Sequence, residues 1–208
     1  FRGIFRMIIF GKTIYENKLG ISDRDRDIYK QLLQNLDYTY SGSGGEQRDI
    51  SHISYEKNVL EHPNLLHLKN KIMQEFYTFK HQAMRYKNKF EIVRSWIAKS
   101  EPGQSSNFHN HNNCMWSGVY YVESQKGASP IQFFDPRPIA HHLKPVNRPN
   151  WENAGMIQFD AEQGTGIIFP SWLQHWVPPT QTDRVSVSWN IIPRGHYGSI
   201  SEYQYAHI

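Results

Sequence analysis

The spacing of apolar residues changes near residue 89, and this change constrains the fold more than any other feature of the chain. Over residues 89–99 (KFEIVRSWIAK) the spacing is two, with Phe90, Ile92 and Trp96 on one face. Further short strands are predicted over residues 117–123, 131–134, 156–159, 166–169 and 184–192, separated by turns rich in Gly, Pro and Asn. Many short strands without helical patterns between them indicate an antiparallel sandwich or barrel.

The residues before 89 show helical spacing instead. Ser22 can cap a helix over residues 23–36, and Pro63 suits the first position of a second helix that continues to about Tyr86. At 208 residues the chain is most simply one domain. We expect a mainly helical support (residues 1–88), a β-barrel core (residues 89–193) and a C-terminal tail (residues 194–208).

Two segments are predicted to be loops. Residues 41–49 (SGSGGEQRD) are rich in turn formers and suit a surface loop. Residues 137–153 (RPIAHHLKPVNRPNWEN) are long, interrupted by proline and non-periodic. Because a long irregular loop in a compact domain is often functional, this second segment is a candidate lid.

The composition excludes several classes of protein. The sequence has no run of 18 apolar residues, so no transmembrane helix is predicted. The segment FRGIFRMIIF (residues 1–10) lacks the length of a secretory apolar core and a small-residue cleavage site. The single cysteine, Cys114, leaves no internal disulfide and fits a reducing compartment. We expect a cytoplasmic protein without a membrane partner.

The positive charge is concentrated in the first half of the chain. Residues 1–100 carry 17 Lys+Arg and 11 Asp+Glu, whereas residues 101–208 carry 6 and 8. A basic region can attract nucleic acid or an acidic protein. However, the basic residues, among them Lys69 and Lys80 on the second helix, are interspersed with acids, which is typical of a solvated face. The pattern disfavours a nucleic-acid partner.

Histidines cluster at the start of an aromatic strand, in the segment NFHNHNNCMWSGVYYV (residues 107–122). In extended chain, residues two apart point to the same side, so His109 and His111 can face one barrel mouth. His175 follows the strand over residues 166–169 and a turn, from which it could return to the same mouth. Imidazole suits Fe, Zn, Cu or Ni. The pattern predicts a transition-metal site and leaves the metal open.

The last predicted strand carries a polar face. Arg184, Ser186, Ser188 and Asn190 share one parity, and Val185, Val187 and Trp189 share the other. A guanidinium can grip a carboxylate with two charge-assisted hydrogen bonds, and Ser186 could add a third. Alternatively, this face is exposed and Arg184 pairs with Asp183 or Glu162. The nearby histidines favour a metal that holds an acidic co-substrate.

The order of these motifs resembles that of a known family. The segments HNH, SGVYYV, IQFFDPRP, GTGIIFPSWLQHWVPP and RVSVSWNI, over roughly residues 90–193, resemble the Fe(II)/2-oxoglutarate-dependent oxygenases. They look most like a small group from marine bacteria and phages. The resemblance implies a mainly β protein with N-terminal helices (α+β), in which helices buttress a double-stranded β-helix, a jelly-roll or cupin-like barrel.

The resemblance also implies roles for particular residues. His109 and His175 would be iron ligands, Arg184 would bind the C5 carboxylate of 2-oxoglutarate, and Ser186 would assist it. A tyrosine of the pair Tyr120 and Tyr121 would reach the same carboxylate, and we prefer Tyr121. The implied reaction is the hydroxylation of a substrate C–H bond with release of succinate and CO₂.

The chain departs from the family at one ligand. The family normally has HxD, whereas this chain has His111 at the carboxylate position. His111 is a third ligand, or it lies beside a two-His iron completed by water as in the aspartyl-hydroxylase branch, or the motif is shifted so that Asn113 takes the carboxylate place. We prefer the three-His site, because two residues of extended chain put both imidazoles on one side. Asp135 could supply a carboxylate only if its strand borders the mouth.

Two other functions are compatible with the same residues. One is a cupin-like three-His metalloenzyme that does not use 2-oxoglutarate. The other is a metal-stabilised barrel whose basic helical layer binds a protein or nucleic acid. The sequence leaves open the substrate, a protein residue or a small molecule, and the oligomeric state.

Overall fold

Two helices and twelve short strands make up the regular structure. The computed structural model describes residues 13–40, 50–84, 86–137 and 153–208. Helix α1 spans Asp23–Gln34 and α2 spans Leu66–Phe79. The strands are β1 (Tyr15–Lys18), β2 (Tyr38–Tyr40), β3 (His52–Ser54), β4 (Lys89–Ser100), β5 (Trp116–Ser124), β6 (Ile131–Phe134), β7 (Met156–Phe159), β8 (Thr165–Pro170), β9 (His175–Trp176), β10 (Arg184–Arg194), β11 (His196–Tyr197) and β12 (Ala206–His207). Neither helix in the described ranges has the length and apolarity that a membrane crossing needs.

The strands form a large and a small antiparallel sheet. The large sheet has seven strands in the order β1-β8-β5-β10-β4-β3-β2, and the small one has the order β7-β6-β9. The remaining strands, β11 and β12, pair with each other in a hairpin. Helices α1 and α2 cover one face of the large sheet, and the small sheet covers the other. The predicted mainly β fold with supporting helices is confirmed.

Strand alternation sorts side chains into two cores. On the helix side the large sheet contributes Tyr120, Val122, Ile168, Val187, Trp189 and Ile191. Between the sheets it contributes Val119, Tyr121, Ile167 and Phe169, which pack on Ile131 and Phe133 of β6. Because successive residues of a strand point to opposite faces, Arg184, Ser186 and Asn190 belong to the face between the sheets. This inner face carries the candidate site.

Helix α1 begins where the sequence predicts, whereas α2 begins three residues after Pro63. The Ser22 hydroxyl accepts a hydrogen bond from the Asp25 N–H at 3.1 Å, which caps α1. The second helix is preceded by a 3₁₀ turn over Pro63–Leu65, and it ends at Phe79 in a π-helical turn over Lys80–Met84, earlier than the predicted Tyr86. Lys80 is buried rather than exposed as predicted, because its amine donates to the Asn88 carbonyl at 2.8 Å.

Residues 1–88 also contain three short strands that were not predicted from the sequence. Strand β1 pairs with β8, β3 pairs with β4, and β2 pairs with β3, so they extend the large sheet at both edges. Each has three or four residues, which is too short for a clear two-residue period. The predicted loop 41–49 and nearly all of the candidate lid 137–153 lie outside the described residues.

Candidate metal centre and acid-binding pocket

Three histidines come together at one end of the inner face. The candidate ligand atoms of His109, His111 and His175 all lie within 4.8 Å of one another. The backbones of His109 and His175 bond to each other, with N–H to carbonyl distances of 3.0 and 2.9 Å. The His111 N–H donates to the carbonyl of Ser171 at 2.8 Å. The HNH segment therefore runs beside the turn and strand that carry His175.

All three rings are held so that Nε2 is available to a metal. Each Nδ1 lies near an oxygen: His109 near the Asn107 carbonyl at 2.6 Å, His111 near Asn190 Oδ1 at 2.7 Å, and His175 near the Leu173 carbonyl at 2.8 Å. A carbonyl oxygen can only accept, so Nδ1 carries the proton and Nε2 carries the lone pair. Metal-binding histidines typically have this arrangement.

The surroundings keep the three imidazoles neutral. Burial lowers the pKa of His175 to about 3 and that of His111 to about 4, and it also lowers the pKa of His109. The charge of His109 on its two neighbours acts in the same direction. Neutral imidazole is the metal-binding form. The Phe169 ring, 4.8 Å from the His175 ring, provides part of the apolar wall.

Arg184 lies further along the inner face. Its side chain is 4% exposed, its Cζ is 4.9 Å from the ring centroid of Tyr121, and no ion pair joins it to a carboxylate among the described residues. Its Nε and the Tyr121 hydroxyl are both buried without a hydrogen-bond partner in the described part of the chain. The alternative of an exposed face is wrong, and Glu162 pairs with Lys18 instead.

Two further hydroxyl groups are buried on this face. Thr165 shares the parity of Ile167, and its Oγ1 has no partner in the described ranges. Ser186 lies opposite Tyr121 in the sheet, and its hydroxyl is 3.5 Å from the Ala98 carbonyl. Burial raises the pKa of Tyr121, so its phenol stays protonated and can donate. Unpaired buried donors beside a guanidinium fit a carboxylate ligand.

Some candidates do not belong to the site. Tyr120 packs in the helix-side core, on the opposite face of the sheet from Arg184, which is in keeping with the preference for Tyr121. Asn113 is exposed with φ 58°. The strand of Asp135 does border His175, but its carboxylate binds the Arg137 guanidinium at 2.6–3.0 Å.

The sequence interpretation gave no role to three polar residues near His111. Ser117 is the second residue of strand β5, Ser171 lies in the turn after β8, and Asn190 is on β10. They join His111 in one hydrogen-bonded group. The only signal for Asn190 is that it shares the parity of Arg184 and Ser186.

Comparisons with known proteins cover the same region. Residues 94–190, slightly less than half of the chain, match the sequence model of a family described as "Putative 2OG-Fe(II) oxygenase". No curated protein sequence matches the chain.

Solved structures are similar over most of the chain. A prolyl-4-hydroxylase from Pseudomonas putida has a TM-score of 0.59 at 13% identity and covers 88% of this chain and 94% of its own. The α-ketoglutarate-dependent epimerase SnoN from nogalamycin biosynthesis has a TM-score of 0.64 at 11% identity, covering 92% and 83%. HygX from Streptomyces hygroscopicus, with nickel, 2-oxoglutarate and hygromycin B bound, has 0.60 at 9% identity, covering 88% and 83%. These likenesses confirm the predicted jelly-roll fold.

Proposed function

We propose that this chain, whose residues 94–190 match the family model of the 2OG-Fe(II) oxygenases, hydroxylates a substrate C–H bond and releases succinate and CO₂. The predicted enzyme class, with iron and 2-oxoglutarate as cofactors, is confirmed by the family match. In the proposed reaction one oxygen atom of dioxygen enters succinate and the other enters the substrate. The C1 carboxylate of 2-oxoglutarate leaves as CO₂.

One observation carries the proposal: the three histidines and a buried arginine without an ion pair among the described residues lie in the same space between the two sheets. Ser117 marks the metal end of β5, and Tyr121, four residues on, marks the arginine end. Four residues of strand span about 13 Å at ~3.3 Å per residue. A five-carbon dicarboxylate together with the surrounding side chains can bridge this distance.

The residues divide the work between the two ends. His109, His111 and His175 would hold iron(II), which, when bound, supplies the redox chemistry that uses dioxygen and 2-oxoglutarate. Arg184 would hold the C5 carboxylate with two charge-assisted hydrogen bonds, and the Tyr121 hydroxyl would donate another. Apolar side chains of the inner core, Val119, Ile167 and Phe169, would exclude water between the two ends.

The proposal is tested by adding 2-oxoglutarate to the chain with Fe(II) under anaerobic conditions. We expect a weak visible charge-transfer band, and succinate formation after oxygen and a substrate are supplied. His175→Ala should abolish the band, because it removes one of the three nitrogens. The proposal is overturned if 2-oxoglutarate neither produces the band nor raises the melting temperature of the metal-loaded chain.

A second candidate function is favoured by His111. Three neutral imidazoles without a carboxylate also suit a cupin-like metalloenzyme that binds its substrate directly. Calorimetry separates the two: this second function predicts that the metal-loaded chain binds no 2-oxoglutarate and that Arg184→Leu leaves metal affinity and activity unchanged.

We propose a protein residue or a small molecule as the substrate, in a cytoplasmic enzyme. The similar structures include both prolyl hydroxylases and HygX with hygromycin B. A nucleic-acid partner is disfavoured because basic side chains of the helical layer pair with acids. The Lys69 amine is 2.6 Å from Glu61, and Arg26 pairs with Asp23.

A further inference from the structure

The hydrogen-bonded group behind His111 has a definite geometry. Asn190 Oδ1 lies 2.7 Å from His111 Nδ1 and 2.8 Å from Ser117 Oγ. Ser117 Oγ lies 2.8 Å from Ser171 Oγ and 3.0 Å from His111 Nδ1. The two serine side chains belong to residues that are 0% and 1% exposed, so water does not compete for these bonds.

With Asn190 Oδ1 as the acceptor, counting hydrogens gives the group one direction. Ser117 donates to Asn190 Oδ1, so its single hydroxyl hydrogen is used and the Ser171 hydroxyl must donate to Ser117. Asn190 Oδ1 then accepts from Ser117 and from His111 Nδ1–H. Two donors therefore converge on the oxygen of the Asn190 amide.

The orientation of this amide determines what His111 can bind. With Oδ1 toward the ring, the proton stays on Nδ1 and the Nε2 lone pair faces the other histidines. With the amide reversed, an N–H would point at Nδ1, the proton would move to Nε2, and the ring could not bind a metal there.

We propose that Asn190, oriented by Ser117 and Ser171, is the positioning residue that makes His111 a third metal ligand. This inference rests on the proposed function of the three-histidine site. The hydrogen-bonded group also connects the two segments that carry the histidines. The Ser171 carbonyl accepts a hydrogen bond from the His111 backbone N–H at 2.8 Å, and Ser171 lies four residues before His175. Asn190 thereby supports a neutral ligand where the family normally has a carboxylate.

The experiment measures the affinity of Co(II), a visible probe of the site, for the full chain. Asn190→Leu removes the acceptor and should weaken Co(II) binding roughly 10- to 100-fold, the usual effect of losing such a partner. Asn190→Asp keeps an oxygen in place and should bind within about threefold of the unchanged chain or more tightly. The same leucine substitution at the exposed Asn64 is the control, and it should change nothing.

A double-mutant cycle separates positioning from general damage. If Asn190 acts through His111, Asn190→Leu should add no further loss in a His111→Ala background. Ser171→Ala removes only the hydroxyl that donates to Ser117, so it should weaken Co(II) binding less than Asn190→Leu does. Melting of each metal-free variant checks that it folds, and Ser117→Ala replaces Asn190→Leu if the latter does not.

The outcomes distinguish this inference from the proposed function. If the unchanged chain binds no Co(II), both are overturned. Two results would overturn only the role of Asn190, provided that the unchanged chain binds Co(II). In one, Asn190→Leu binds Co(II) as well as the unchanged chain. In the other, Asn190→Leu lowers the affinity as much in the His111→Ala background as in the unchanged chain. In the Zn(II)-loaded chain, nitrogen-15 spectra should show His111 protonated at Nδ1. Protonation at Nε2 would contradict the proposed role of Asn190.

Discussion

Replacing Arg184 by leucine should weaken 2-oxoglutarate binding strongly without destabilising the ligand-free chain. The side chain is 4% exposed, and its Nε has no hydrogen-bond partner within the described residues. Removing one partner of a buried charge pair costs about 2–5 kcal/mol. At about 1.4 kcal/mol per factor of ten, the dissociation constant of 2-oxoglutarate should rise between roughly 30-fold and 4,000-fold.

Arg184→Leu should not lower the stability of the ligand-free chain. Leucine loses the cation–π contact with Tyr121, worth about 0.5–2 kcal/mol. It also removes a buried charge that has no ion pair among the described residues. The desolvation of that charge costs several kcal/mol, which is as large as the cation–π contribution or larger. The free energy of unfolding without 2-oxoglutarate should therefore stay equal or rise.

Two measurements test this combination. Urea unfolding gives the stability of the ligand-free chain, and calorimetry with the Ni(II)-loaded chain gives the affinity for 2-oxoglutarate. Arg194→Leu is a matched control, because that guanidinium is exposed and pairs with Glu91. A variant at Arg184 that loses stability but keeps its 2-oxoglutarate affinity would refute the reasoning, since Arg184 would then be a structural cation.

Three further predictions follow from the same geometry. Tyr121→Phe should weaken 2-oxoglutarate binding roughly 10- to 150-fold in calorimetry, because a hydrogen bond to a charged carboxylate contributes about 1.5–3 kcal/mol. Tyr120→Phe should have no effect, and equal effects of the two substitutions would contradict the assignment by face. Burial lowers the pKa of His175 to about 3, so below about pH 6.5 the unfolded metal-free chain binds more protons than the folded one. The free energy of unfolding of the metal-free chain should therefore fall as the pH drops from 6.5 toward 3, and a flat profile in urea denaturation would be inconsistent with a buried neutral ring. Gly118→Ala should destabilise the chain by about 1–3 kcal/mol and lower its melting temperature, because the added Cβ would lie 2.8 Å from the Ile167 carbonyl oxygen. Gly155→Ala is the control and should leave the melting temperature unchanged, because no atom lies within 4 Å of the added Cβ.

The sequence by itself determined which residues share a face. The side-chain period of a strand is a local property of the backbone, so the grouping of His109 with His111 and of Arg184 with Ser186 needed no knowledge of neighbouring strands. The same period located the strands of the barrel core, with β6 and β7 at their predicted bounds. The helix cap at Ser22 was equally local.

Only the tertiary structure decided which of the two faces carries the candidate site. Parity separates Tyr120 from Tyr121, but the side on which the helices pack selects Tyr121 for the inner face. The contact of Asn190 with His111 joins residues 79 positions apart, and the burial of Lys80 depends on the Asn88 carbonyl. Such contacts depend on sheet register and packing between distant segments, which no local period encodes.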